Sequence, residues 1–414
     1  MRIYSIKKAI NIPEYKITGL ISESAKEIHL RLEPYKRKGF ICSGCGQAHK
    51  IGYHGQEETI AEDLRIFEKR AYLHVIKRRY NCPEDNRIYV EEIPWLKKWS
   101  RVTKRFAEEV GRLTAITTNQ EAGWFLGLDD ESVYRIDKEI LEERYNAKLI
   151  PFPAAINISV DEVSYKKYHR YLTNVVDTDL KAVIWNDKGR KTEVLDRYYA
   201  GIGEDNCKRI ESVALDGART YISSTNKYAV NALIVCDKFH IIQKLNWAVD
   251  MARKQELRKA RKEDNDELIS LMNCRQRFIL LKNRDNLTES QAGYLKKFCE
   301  INEPIYKAML LKESFLKVYD YQTPEEAQGY LEGWIKDALS SAVETFRIIA
   351  LSFRDKLQYI INWFKKKISS VISEGINNKI KRLKRMAYGY RDVEYFKLKI
   401  HQHCGLLNPR KYPQ

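Results

Sequence analysis

The sequence predicts a mixed α/β protein built on one central sheet, with a small β unit ahead of it and a long helical stretch inserted in it. Three observations predict this. β-rich and helical runs alternate between residues 156 and 240 in the order βββαβαβ, the pattern of a sheet flanked by helices. Residues 15–94 carry short strand-like runs of their own. From about 241 to 372 the chain reads as nearly all helical.

Size and charge bound the function. The chain has 414 residues, 44% of them hydrophobic, enough for sizeable folded cores. Its 73 Lys+Arg against 56 Asp+Glu leave a net charge of +17, spread through the chain rather than gathered in a tail. Such an excess favours a polyanionic partner. No run of about 18 apolar residues suggests a membrane span. The opening "MRIYSIKKAINIPEY" lacks the apolar core of a signal peptide. Eight scattered cysteines do not look like a disulfide framework, so a reducing cytoplasm is expected.

The N-terminal elements follow in order. "ITGLISESAKEIHLRLE" alternates in places and reads as short strands. "FICSGCGQAH" sets Cys42 and Cys45 two residues apart on a Gly-containing turn, a half-site for tetrahedral zinc. Strand-like "RAYLHVIKRRYNCPEDNRIYVEEIP" brings Cys82 without a second cysteine close by. Asp85 is the expected fourth ligand, with His49 or His54 as alternatives. A redox role for Cys42 and Cys45 is disfavoured because no βαβ pattern surrounds them. "EAGWFLGLDDESVYRI" then reads as a helix-turn-helix. Ala122, Leu126, Leu128, Val133 and Ile136 would fill its core, and Gly127 would permit the turn. Ser132, Tyr134 and Arg135 would lie on the outer side of the second helix, where DNA is read, and Asp129, Asp130 and Glu131 would cap it.

"LIPFPAA" is a proline-containing linker into the α/β region. "INISVDEVSY", "HRYLTNVVDTD" and "KAVIWNDKG" form an antiparallel meander, with Asp177 in a turn. A helix near 191–201 follows, then "ESVALDGA" as strand, "RTYISSTNKY" as helix and "NALIVCDKFH" as strand. In the helical stretch, "TESQ" and "TPEE" read as capping boxes, the second with Pro324 at the first helical position. Trp247, Trp334 and Trp363 are expected in its core, and the lysine run 365–367 on a solvated face.

Carboxylates at strand ends carry the chemistry. Asp161 interrupts the apolar run of the first core strand, and Asp216 and Asp237 close two later ones. A charge in such a place costs free energy unless it is paired or bound to metal. A fourth acid, Glu374, heads "SEGINNKIKRLKRMAYGYRD", where six Lys or Arg precede the next carboxylate. Wound at about 100° per residue, Glu374, Asn378, Lys381 and Arg385 share one arc, and Ile376, Ile380, Leu383 and Ala387 lie nearly opposite. The apolar stripe would seat the helix. Asp161, Asp216 and Glu374 would then hold two Mg²⁺ or Mn²⁺ ions about 3.5–4 Å apart for phosphodiester chemistry. Asn378, Lys381 and Arg385 would hold the nucleic acid.

The stretches "SVDEVSY", "RYLTNVVD", "VALDGARTY", "ALIVCDKFHIIQKLNWAVDMAR" and "SEGINNKIKRLKRMAYGYRDVEYFKLKI" resemble the ISL-three family of bacterial insertion-sequence transposases. The resemblance covers nearly the whole chain. It implies a ribonuclease-H-like core split by an all-helical insertion, with a DDE triad at Asp161, Asp216 and Glu374, behind a zinc ribbon and a helix-turn-helix. It implies cutting at terminal inverted repeats of double-stranded DNA, joining of the 3′-hydroxyls to a target, and homo-oligomers on DNA. Asp237 and His240 match the family's D-x-F-H stretch, orienting the Asp216 strand end or supporting the metal from behind. The expected divisions are 1–97 (zinc-ribbon β domain), 98–148 (helix-turn-helix), 152–249 and 346–400 (core), 250–345 (insertion) and 401–414 (tail). The alternatives are a non-catalytic DNA-binding protein, either a regulator or an inactive remnant, and a structure-specific nuclease on the same core.

Overall fold

The computed structural model describes residues 10, 12–35, 39–97, 101–166, 170–272, 277–282, 286–367 and 371–412. The chain divides between residues 146 and 147 into two compact units.

The first unit holds a sheet of β1 (Tyr15–Glu23), β2 (Glu27–Pro34), β5 (Tyr53–Ile66), β6 (Lys69–Asn81) and β7 (Ile88–Val90), ordered β1-β2-β6-β5 with β7 on β6. Alternation makes the central strands. Ile28, Leu30 and Leu32 in β2 and Ala71, Leu73 and Val75 in β6 turn one face inward, and His29, Arg31, Tyr72 and His74 turn the other way. β5 has no such pattern. Its buried end is polar, and cations from elsewhere in the unit neutralise it. Glu62 accepts from Arg70 Nε and Nη2 at 2.8 and 2.9 Å. Asp63 accepts from Thr103 Oγ1 at 2.7 Å and pairs with Arg105. A two-stranded ribbon, β3 (Phe40–Ile41) and β4 (Ala48–His49), stands beside this sheet.

After the sheet, the described residues form α1 (Lys104–Thr114), α2 (Asn119–Leu126) and α3 (Asp130–Leu149), the last crossing the division. A capping box between Thr118 and Glu121 starts α2, and Gly127 ends it at φ 78°. Ala122, Leu126, Val133 and Ile136 are buried and Leu128 packs against them. Asp129 accepts from the Ser132 backbone N–H at 2.8 Å and from its hydroxyl at 2.7 Å, the cap expected for α3. Left-handed backbone costs an L-residue about 1–2 kcal/mol. Gly127→Ala should therefore lower the unfolding free energy of this unit by about that amount, read as a smaller urea midpoint at unchanged slope.

In the second unit β8 (Asn157–Lys166), β9 (Arg170–Asp177) and β10 (Ala182–Lys188) form the antiparallel meander. β11 (Ser212–Leu215) lies parallel to β8, and β12 (Leu233–Cys236) parallel to β11, so the sheet runs β10-β9-β8-β11-β12. Asp177 accepts from the backbone of Asp179 and Leu180 and holds the turn after β9. On one face Ile158 and Val160 of β8 meet Val194, Leu195 and Tyr198 of α4 (Thr192–Ile202) and Tyr221 of α6 (Arg219–Tyr228); short α5 (Glu204–Lys208) lies between. On the other face Val163, Leu172, Val176 and Val183 meet Ile376, Ile380 and Leu383 of α15 (Val371–Met386) and Phe396 and Ile400 of α16 (Val393–Cys404).

Between β12 and α15 the described residues form α7 (Lys238–Lys262), α8 (Asp266–Leu271), α9 (Arg277–Leu281), α10 (Glu289–Ile301), α11 (Glu303–Leu316), α12 (Pro324–Ser340), α13 (Glu344–Arg354) and α14 (Leu357–Lys365). They close around Phe298, Phe315, Phe346, Phe353 and Trp334. α10 starts with a Thr288–Gln291 capping box and α12 with Thr323 capping Glu326 and Pro324 behind it. Of the tryptophans expected in this core, Trp334 is there; Trp363 is half-buried and Trp247 is 50% exposed. Residues 401–412, expected as a tail, pack on the sheet: His401 is buried, Gly405 bridges Val183, and Lys411 Nζ donates to Leu180 O at 3.0 Å.

Candidate functional site

Parity along β8 decides which way its two acids face. Ser159, Asp161 and Val163 share the side covered by α15, and Glu162 faces α6. Asp161 is half-buried, and both its oxygens accept: Oδ1 from the Glu162 N–H at 2.7 Å, Oδ2 from Asn377 Nδ2 at 2.6 Å. One turn earlier on α15, Ser373 Oγ meets Ser159 Oγ at 2.7 Å. Glu374 sits between these two anchors, half-buried. The β8–β11 register aligns Asn157 with Ser212 and Ser159 with Ala214; continued two residues, it sets Asp216 level with Asp161. Asp216 accepts from the Ala218 N–H at 2.7 Å and is followed by Gly217 at φ 80°.

Asp237 ends β12 and caps α7, accepting from the Phe239 N–H at 2.8 Å. Its helix presents His240 Nε2 at 3.7 Å from Asp237 Oδ2 and 3.9 Å from Asp161 Oδ2. Burial works against charge on that ring, but the carboxylates of Asp161, Asp237 and Asp216 outweigh it and raise its pKa above the ordinary histidine value. Glu162 accepts from Tyr221 Oη at 2.9 Å. Burial raises its pKa, the tyrosine opposes, and the charges of Asp216 and Asp161 add to the rise. Lys244 Nζ donates to the Asp216 backbone O at 3.2 Å. Lys356 lies by Gly217, and its pKa is lowered by burial and by Lys244. Asp161, Asp216, Asp237, Glu162 and His240 thus feel one another across a single strand-end cluster. Asn377, Ser373, Glu162, Lys244 and Lys356 carry no mark in the sequence; only the residue spacing Glu374-x-x-Asn377 on a helix points at one of them.

On α15, Asn378, Lys381 and Arg385 are exposed and face away from the buried stripe. On α3, Arg135 is exposed, Ser132 is half-buried and bonded to Asp129, and Tyr134 is half-buried with Lys138 over its ring at 5.8 Å.

A second cluster forms in the first unit. Cys42, Cys45, His49 and Cys82 offer ligand atoms within 4.8 Å of one another. His49 Nε2 lies 3.1 Å from Cys45 Sγ and 3.8 Å from Cys82 Sγ. Tyr80 supports the loop, stacked on Phe40 at 3.8 Å and donating to Ile41 O at 3.0 Å. Burial pushes the Cys42 thiol up, but the backbone N–H groups of Cys45 and Gly44 and the Tyr80 hydroxyl bring it down to about 6. Asp85, the fourth ligand expected, is not in this group of four. Its carboxylate accepts from Tyr89 Oη at 2.5 Å and from the Arg87 N–H at 3.1 Å. His54, the other alternative, lies exposed on β5 and outside the four.

Comparison with known proteins gives the same two regions. Residues 158–400 match a family model described as a transposase. Residues 38–85 match one described as the zinc-finger of the transposases of IS204, IS1001, IS1096 and IS1165. Over 379 residues, 91% of this chain and 92% of the relative, the sequence is 31% identical to the transposase for insertion sequence element IS1001 of Bordetella parapertussis. It is 25% identical over 373 residues, 85% of this chain and 83% of the relative, to the transposase for insertion sequence element IS1557 of Mycobacterium tuberculosis.

Proposed function

The chain belongs to the ISL3 family of insertion-sequence transposases, and from that premise we propose that it binds the terminal inverted repeats of its own element, cuts DNA there and joins the 3′-hydroxyl ends to target DNA. The observation that carries this reading is the anchoring of α15 on β8. Asn377 binds Asp161 and Ser373 binds Ser159, which brings the helix of Glu374 against the strand of Asp161, while the strand register brings up Asp216. Asp161 and Asp216 at neighbouring strand ends repel each other unless a cation lies between them, and Glu374, on the helix anchored to β8, is the acid we assign as the third ligand.

The sheet order, with an antiparallel second strand and helices on both faces, supports a ribonuclease-H-like core. The helical hairpin that turns at Gly127 over buried Ala122, Leu126, Val133 and Ile136 supports a helix-turn-helix in which Ser132, Tyr134 and Arg135 read DNA. The oxygen-rich donor set of Asp161, Asp216 and Glu374 suits Mg²⁺ or Mn²⁺, which when bound supply activation of the attacking oxygen and stabilisation of the leaving one. The chain's own part is positional. Asn377 and the Glu162 backbone fix the Asp161 carboxylate, Asp237 and His240 hold the strand end, and Asn378, Lys381 and Arg385 line the outward arc of α15 for phosphates. Cys42, Cys45, Cys82 and His49 would hold Zn²⁺ in a closed structural site. The partner is double-stranded DNA, bound by a homo-oligomer.

The test uses duplex carrying the repeats that flank the gene, a target plasmid and Mn²⁺. Cut strands with 3′-hydroxyls and their recovery in the plasmid are expected. Cutting without joining would make the protein a nuclease, and binding without cutting a regulator.

A further inference from the structure

We propose that Lys244 and Lys356 form a phosphate clamp beside Asp216 that grips the DNA backbone next to the bond being cut. The proposal rests on the transposase reading above and adds to it two residues outside the helix that carries Lys381 and Arg385.

The clamp begins with the turn after β11. Gly217 has φ 80°, and a Cβ there would lie 3.2 Å from Cys236 Sγ and 3.5 Å from Lys356 Nζ. The Lys356 ammonium therefore lies against the turn at the strand end. Lys244, on α7, comes up from the other side and donates to the Asp216 backbone oxygen at 3.2 Å. Both lysines are half-buried. Among the described residues neither ammonium forms an ion pair with a carboxylate. Arg219 extends the positive strip outward: its side chain is 87% exposed and pairs with the rim carboxylate Asp355 at 3.4 Å.

Two partly desolvated cations at one strand end are costly unless an anion sits between them. Both lysines approach the Asp216–Gly217 turn, whose own carboxylate is that of Asp216. Once that carboxylate serves a divalent cation its charge is spent, and the lysines face the cut site without a counter-charge. A phosphodiester supplies what is missing, a single charge with acceptor oxygens on several sides. Lysine, a compact point charge with three donors, suits it.

The experiment measures binding of the end duplex between 50 and 200 mM KCl, and cutting with Mn²⁺, by the full chain. Lys244→Gln and Lys356→Gln should each lower the log–log salt slope by about 0.9. Each should slow cutting about 10- to 100-fold, the worth of a charge-assisted hydrogen bond. Lys356→Arg should keep the slope. A duplex with one neutral methylphosphonate next to the cut site should weaken the wild type more than Lys356→Gln and leave the Lys244→Gln/Lys356→Gln double variant unaffected, a result that lysines serving only the fold would not give. Unchanged slopes in both glutamine variants, with the wild type still cutting, would overturn the clamp alone. A wild type that does not cut its own ends would overturn the clamp and the transposase reading together.

Discussion

Asp161→Asn is expected to slow strand cutting by about 10³-fold or more while leaving the fold and the binding of element ends intact. The size follows from the charge removed. A metal site supplies several kcal/mol of charge stabilisation to the reacting phosphate, and about 4 kcal/mol is about three powers of ten in rate. The fold survives because the change is isosteric and its neighbours can answer it. Both Asp161 oxygens accept now, from the Glu162 N–H and from Asn377 Nδ2. A carboxamide keeps one acceptor for the backbone N–H, and Asn377 can turn its own amide to accept from the new NH₂ group. DNA is a polyanion, so deleting a negative charge near it does not weaken binding. Cutting, end binding and thermal unfolding of the purified variant separate the three claims. Cutting at the wild-type rate would remove Asp161 from the chemistry.

The strand-end acids were legible because each breaks a local rule. Asp161 stands in an apolar strand, Asp216 and Asp237 close such strands, and Glu374 heads a basic helix. Asn377, Ser373 and the two lysines break no rule. Asn377 reads as one more polar residue of an amphipathic helix until β8, 216 residues away in sequence, supplies its partner. Lys356 reads as a loop cation until the fold sets it beside Gly217, 139 residues earlier. Their meaning lies in tertiary register, which local pattern does not encode.

The fold divides the same way. β2 and β6 announce themselves by alternation, and two of the capped helices by Thr288 and Thr323. β5 does not, because its buried end is Glu62 and Asp63, and a strand whose inward residues are acids looks like a loop until Arg70 and Arg105 are in place. Trp247 misled for the opposite reason. It lies on a helix that is buried along one side only, and half of it reaches solvent.

His49→Ala is expected to cost the chain its ribbon zinc and much of the order of residues 39–50 and 82–90, while Asp85→Asn keeps both. Metal content per chain, followed by hydrogen exchange of those segments, reads the difference. The two substitutions are unequal because the two side chains are already committed differently. His49 Nε2 faces the sulfurs of Cys45 and Cys82 at 3.1 and 3.8 Å, the spacing of ligands around one tetrahedral ion. Asp85 spends its oxygens on Tyr89 and the Arg87 backbone, and Tyr89 in turn is packed against Gly44, where a Cβ would come within 2.5 Å of its ring. That carboxylate lies beside the Cys82 thiol, but binding the ion would take it from Tyr89, which covers the Cys42 loop. Little else holds the loop: its own core is Phe40, Cys42, Tyr80 and Cys82, with β3 and β4 two residues each. Structural zinc contributes about 10–16 kcal/mol of apparent binding energy in small finger peptides, and that energy is folding energy. The sheet of the first unit, with its own apolar core of Leu30, Leu32, Leu73 and Val75, should remain folded in His49→Ala. Loss of zinc from Asp85→Asn and its retention in His49→Ala would reverse the assignment and require the loop to repack around Asp85.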